Sequence, residues 1–188
     1  LNGRADVANQ ILPALMPGYD PDYKGYEFDP AKAKSLLAEA GFPDGFETTI
    51  QCIAVDPQPK LCESFQQDLA NVGIKLNIET LAAPSVIESA GNGANPLTWS
   101  GGLAWTQDYP DPDDFYAPIL GCDSNVAGGW NWSRYCNEEL HAKSKELLAM
   151  TDRAARMEAY KPFFKTMMDD AVWVPVIADQ YNVAHSEK

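Results

Sequence analysis

Apolar residues recur at i, i+3, i+4 and i+7 in Ala33, Leu36, Leu37 and Ala40, the spacing of one face of an α-helix. Asp29 supplies an N-cap, Pro30 takes the first helical position, and Gly41 followed by Pro43 ends the run. The period then changes. Phe46 to Val55 is rich in β-formers with apolar members in both alternating sets, which predicts a strand covered on both faces. Asp56 to Pro59 turns the chain into a second helix with Leu61, Phe65, Leu69 and Val72 on one side, ended by Gly73. Ile74, Leu76 and Ile78 then alternate with Lys75, Asn77 and Glu79 in another strand. Strand, helix and strand joined by short links form a βαβ unit, expected to be parallel and right-handed.

Ahead of this unit, residues 1–28 read as a strap of prolines and tyrosines following a short helix at Ala5 to Leu12. Beyond it, Pro84 to Ala90 predicts a helical segment, Gly91 to Pro96 a turn and Leu97 to Ala104 a strand. Residues 116–137 have little regular pattern. Asn137 caps a helix reaching toward Met150, and Thr151-Asp152 opens another toward Asp170, which Pro162 is expected to kink or split. Val172 to Ile177 and Tyr181 to Ala184 close the chain as strands. The class is α/β, with no internal repeat, low-complexity tract or linker.

Composition narrows the partners. The 188 residues suffice for one domain or one lobe of a larger protein, and 45% hydrophobic with 11% aromatic residues demands a packed core. The net charge of −13, from 27 acids against 14 bases, disfavours nucleic acid and anionic membrane. The longest apolar run, Ala171 to Ala178, is far short of the ~20 residues that span a bilayer. Leu1 opens no signal-peptide pattern, so the sequence is either mature or cut from a longer chain, and the cut is the expectation. Cys52, Cys62, Cys122 and Cys136 lie in no zinc array. Of their pairings, Cys52 with Cys62 and Cys122 with Cys136 requires the least chain reorganisation and implies an oxidising compartment; the alternative is four buried thiols.

The candidate chemistry gathers in Trp105-Thr106-Gln107-Asp108-Tyr109-Pro110-Asp111-Pro112-Asp113-Asp114-Phe115. Its prolines preset the backbone, so it reads as a stiff acidic loop pinned at both ends by apolar residues. A carboxylate held against aromatic walls is suited to receive an ammonium. Asp-Pro clusters are also ordinary turn chemistry, and Asp111, Asp113 and Asp114 are read as turn formers and caps. Nucleophilic and phosphate motifs are missing, no calcium loop fits the register, and His141 and His185 are read as surface residues.

The run Tyr26-Glu27-Phe28-Asp29-Pro30-Ala31-Lys32-Ala33-Lys34-Ser35-Leu36-Leu37-Ala38-Glu39-Ala40-Gly41-Phe42-Pro43-Asp44-Gly45-Phe46 resembles the corresponding run of family 5 extracellular solute-binding proteins, the dipeptide, oligopeptide and nickel receptors of ABC importers. Leu69-Ala70-Asn71-Val72-Gly73-Ile74 is similar to their helix-to-strand junction, Trp105 to Phe115 to their acidic loop, and Cys122 to Cys136 to a stapled segment of dipeptide receptors. The resemblance implies an α/β lobe of a type II, periplasmic-binding-protein-like clamshell, a mixed sheet with flanking helices. Residues 1–188 would then be the C-terminal, ligand-binding lobe, with the N-terminal lobe outside this chain.

It further implies a non-enzymatic, cofactor-free receptor in the periplasm or outside the cell, lipid-anchored in a Gram-positive host, that hands a di- or oligopeptide to an ABC permease. Asp108 would receive the ligand's α-ammonium, Trp105 and Gln107 would flank it, and Trp130 would wall a side-chain pocket. Where some dipeptide receptors carry a carboxylate-binding arginine this sequence has Lys60, a point charge without a bidentate fork. The alternatives are a receptor for an oligosaccharide, an opine or a metal chelate, or a glycosidase using paired aspartates.

Overall fold

A computed structural model describes residues 5–93 and 97–179. In chain order the elements are β1 (Ala5–Val7), α1 (Pro30–Glu39), β2 (Glu47–Ile53), α2 (Gln58–Ala70), β3 (Lys75–Leu81), α3 (Ala83–Asn92), β4 (Leu97–Thr98), α4 (Glu138–Ala149), α5 (Arg153–Asp169) and β5 (Ile177–Asp179). Short 3-10 helices form at Pro112–Phe115 and Cys122–Ser124. The chain divides into two compact units. One holds Glu27–Asp108 and Tyr116–Glu138; the other holds the chain up to Tyr26, Tyr109–Phe115 and the chain from Glu139.

The first of these units is α/β. The Asp29 carboxylate accepts from the Lys32 N–H at 2.9 Å and Pro30 opens α1, as the sequence predicts. None of the α1 residues is fully buried, and Leu36 is exposed although it lies on the apolar stripe. The sheet order is β3-β2-β4 and every pairing is parallel, so strand, helix and strand form the expected parallel unit. Central β2 buries Ile50, Gln51, Cys52 and Ile53 in succession, the signature of a strand covered on both faces. Ile50, Cys52, Cys62 and Leu76 form the core, with Phe65, Leu69, Ile78 and Trp99 packed on it. The Cys52–Cys62 disulfide ties β2 to α2 through this core and contributes about 2–4 kcal/mol.

The strand expected over Leu97 to Ala104 is cut short. Only Leu97 and Thr98 pair with β2, opposite Ile50 and Gln51, and Trp99 adds one bond to the Gln51 carbonyl at 2.9 Å. The chain then turns at Ser100 to Leu103, where Gly102 takes a φ of 79°. That conformation suits glycine and ends the extended run. The turn expected from Gly91 begins later, because α3 continues to Asn92 and Gly93 caps it at a φ of 68°; residues 94–96 of that expectation lie outside the described residues.

The second unit pairs β1 antiparallel with β5, Ala5 opposite Asp179 and Val7 opposite Ile177. The expected helix over Ala5 to Leu12 therefore does not form: the backbone groups of Ala5 to Val7 bond to a strand from the far end of the chain. Gln10 is buried and clasps the strap that follows, donating to the Asp20 carbonyl at 2.8 Å and accepting from the Asp20 N–H at 3.2 Å. α5 starts where Thr151-Asp152 was expected to open it, with Asp152 as the cap that accepts from the Ala155 N–H. It runs unbroken through Pro162, so the expected split is absent; Tyr160, Phe163, Phe164, Met167 and Met168 are buried on both sides of the proline and hold the helix together. The last strand is shorter and later than predicted, since Val172 to Val176 is irregular and β5 spans Ile177–Asp179. The strand expected at Tyr181 to Ala184 and His185 lie outside the described residues, and His141 is half-buried rather than on the surface.

Candidate ligand-binding site

Beyond the carboxyl end of β4, the region where open α/β sheets receive ligands, the turn at Ser100 to Leu103 delivers the stretch that the sequence singled out. Leu103, Ala104, Trp105, Thr106 and Asp108 line a pocket of about 280 Å³ together with Trp130 from the distant Cys122–Cys136 segment. Trp105 and Trp130 meet edge to face with ring centroids 6.3 Å apart, and Trp132 stacks on Trp130 at 5.6 Å and 27°. Trp130 is half-exposed, so part of its ring is open to an incoming group. Asp108 is exposed at the pocket's rim. The indole N–H groups of Trp105 and Trp132 are buried without an acceptor among the described residues.

Three of the residues expected to contact ligand are thus brought together: Trp105, Asp108 and Trp130. Gln107 belongs to the same stretch but is not part of the pocket lining. Lys60 stands on α2, where its ammonium pairs with the Asp56 carboxylate at 3.3 Å. The sequence reading missed Leu103, Ala104 and Thr106 as lining residues and missed Trp132 as a support. The Trp-Asn-Trp spacing of 130–132 was the available signal, but only the turn between the indoles stacks them on one side.

The Cys122–Cys136 segment is closed by its own disulfide, with Cα atoms 4.7 Å apart. Both cysteine pairs are therefore the sequence-local ones, and none of the described cysteines is free. Inside the segment fully buried Asn131 donates to the carbonyls of Gly121 at 3.1 Å and Tyr135 at 2.8 Å.

The acidic residues after Asp108 belong to the other unit and have a different task. Asp111 accepts from the Asp113 N–H at 3.2 Å and pairs with Arg156, while Arg153 donates to the Pro110 carbonyl at 3.0 Å. Asp113 and Asp114 are buried in the 3-10 turn. Burial pushes the Asp113 carboxyl above the usual carboxylate range, with Asp111 and Asp114 adding to the rise and the Tyr109 hydroxyl and Arg156 opposing it. Burial beside the same aspartates pushes the Tyr109 phenol up to about 12, so it remains a donor to Asp113, at 3.3 Å. Asp111 holds the backbone of the turn, as the turn reading expects of it, and Asp113 holds the Tyr109 hydroxyl.

The family model described as "Bacterial extracellular solute-binding proteins, family 5 Middle" matches residues 1–126. Heme-binding protein A of Haemophilus influenzae is 37% identical over 179 residues, covering 93% of this chain and 32% of that protein. The dipeptide-binding protein of Escherichia coli is 32% identical over 174 residues, covering 90% of this chain and 32% of its own length. The periplasmic binding protein DppA from Helicobacter pylori, solved in complex with the peptide STSA, superposes with a TM-score of 0.87 at 28% identity, covering 94% of this chain and 34% of that one. The chain thus spans about a third of the length of the relatives it matches. On the match over residues 1–126 and the fold shared with DppA, the chain belongs to the bacterial extracellular solute-binding proteins, family 5.

Proposed function

We propose that this chain is the C-terminal, ligand-binding lobe of an extracytoplasmic receptor that captures a di- or oligopeptide and delivers it to an ABC permease. The observation that carries this reading is the pocket in which the Asp108 carboxylate stands at the rim of a wall built from Trp105 and Trp130. A peptide's α-ammonium takes charge-assisted hydrogen bonds from the carboxylate, and its side chain packs on the indoles. The N-terminal lobe, outside this chain, completes the cleft on closure. Relatives named for dipeptide binding support the ligand class. Asp108→Ala in the full-length protein weakens calorimetric binding of a dipeptide about tenfold or more, as the loss of a charge-assisted contact does. Unchanged affinity would sink the assignment of Asp108.

A second reading, a metal chelate as ligand, draws on the relative named heme-binding protein A and on the stacked indoles of Trp130 and Trp132, with Trp105 edge-on to them. A Soret shift on adding hemin to the full-length protein, reversed by the dipeptide, supports a shared site; no shift removes this reading.

A further inference from the structure

Between its cysteines the Cys122–Cys136 segment has no regular element but one 3-10 turn, so its own backbone pattern does not set where Trp130 stands. Its outer anchor is the end of α3. Arg134 donates from Nη1 to the Val126 carbonyl at 2.8 Å and from Nη2 to the carbonyls of Ala90, at 3.3 Å, and Gly91. The Gly128 N–H reaches the same Gly91 carbonyl at 2.8 Å. Ala90 and Gly91 lie in the last turn of α3, whose carbonyls carry the helix's partial negative charge; the Ala90 carbonyl also accepts from the capping Gly93 N–H at 3.1 Å. A guanidinium fits there because its fixed fork serves several carbonyls at once. Arg134 does so from a backbone φ of 56°, a left-handed conformation that a side-chain-bearing residue rarely keeps without compensating contacts. The Asn125 side chain supplies one of them, donating to the Arg134 carbonyl at 3.0 Å.

We propose that Arg134 is a positioning residue of the candidate site: by clamping the Cys122–Cys136 segment onto the end of α3, it sets Trp130 against Trp105 without itself lining the pocket. This rests on the reading of that pocket as the ligand site. Because the clamp bonds both the segment and α3, its removal leaves the Gly128 N–H on the Gly91 carbonyl as the remaining tie beside it, and the indole wall loses part of its fixed geometry.

The test uses the full-length protein and two readouts, calorimetric binding of alanyl-phenylalanine and, without ligand, the circular-dichroism couplet of the edge-to-face Trp105–Trp130 pair. Arg134→Ala weakens dipeptide binding several-fold, no more than Trp130→Ala does, and has little further effect in a Trp130→Ala background, as coupled residues do. It also weakens the couplet, and Arg134→Lys, which keeps charge and a donor but not the fork, restores part of both. Full multiplication of the two losses, or an intact couplet in Arg134→Ala, overturns the proposal. If the unaltered protein binds no dipeptide, the peptide reading fails while the couplet still decides for or against Arg134. If Arg134→Ala does not fold, Arg134→Lys and Arg134→Gln decide by the same couplet: graded loss supports the clamp and an unchanged couplet refutes it.

Discussion

Trp105 and Trp130 stand edge to face, 6.3 Å between centroids, although one follows the short strand β4 and the other lies within a disulfide-closed segment. The wall they form is a tertiary product, and its two halves differ in what they support. Trp105 is half-buried with its N–H covered, whereas Trp130 is 48% exposed.

Replacing them separately distinguishes wall from scaffold. Trp130→Ala is expected to lower dipeptide affinity several-fold, roughly the 0.5–1.5 kcal/mol of an aromatic contact, with little change in melting temperature. Trp105→Ala lowers both affinity and melting temperature. Equal thermal losses for the two variants would contradict this division.

The Arg156–Asp111 pair is mostly buried, with side-chain exposures of 20% and 14%. Arg156→Met leaves Asp111 charged beside Asp113 and is expected to destabilise the protein by about 3 kcal/mol in urea unfolding, as an uncompensated buried charge does. The double variant Asp111→Asn/Arg156→Met is expected to lose less than Arg156→Met alone. A double variant at least as unstable as the single one would show that the pair itself, not the orphaned charge, carries the effect.

Asp113 makes stability depend on pH with a definite sign. Its folded pKa lies above the unfolded value, so the folded state holds the proton more tightly and stability falls as pH rises through that interval. The penalty is complete above the folded pKa and absent below the unfolded carboxylate range, near pH ~3. Asp113→Asn keeps an acceptor for Tyr109 and is expected to raise the urea midpoint at pH 7, the gain vanishing in acid. A gain of the same size at both pH values would rule out titration as its cause.

Two glycines with left-handed φ separate crowding from backbone preference. A Cβ on Gly45 would lie 1.8 Å from the Gly73 carbonyl oxygen, whereas one on Gly41 meets nothing within 4 Å. Gly41→Ala is expected to cost about 1 kcal/mol, the left-handed penalty alone. Gly45→Ala must also displace the Gly73 turn between α2 and β3, and is expected to lower the melting temperature by several times as much. Equal shifts in a thermal melt would refute the close approach.

The βαβ unit was legible because its information is local: the Asp29-Pro30 start, the glycine stops and the change of period each act within a few residues. The parallel sheet, the helix starts at Pro30 and near Asp152, and the disulfide pairing followed. Ala5 to Val7 was misread because its partner, β5, is at the opposite end of the chain, and a short helical periodicity has no means of announcing a distant strand. The split allowed for at Pro162 is absent for the converse reason, a local helix breaker overruled by aromatic and methionine packing on both of its sides.

By itself, the sequence determined the class of the protein and the stretch that supplies half of the pocket lining, because period, caps, prolines and a run of acids and aromatics act over short distances. Only the tertiary structure decided which residues share the pocket. It set Asp108 at the rim with Trp105 and Trp130, left Lys60 paired with Asp56, turned Asp111 inward to Arg156, and placed Arg134 on the end of α3. Each of these outcomes depends on contacts between segments far apart in the chain, which no local pattern encodes.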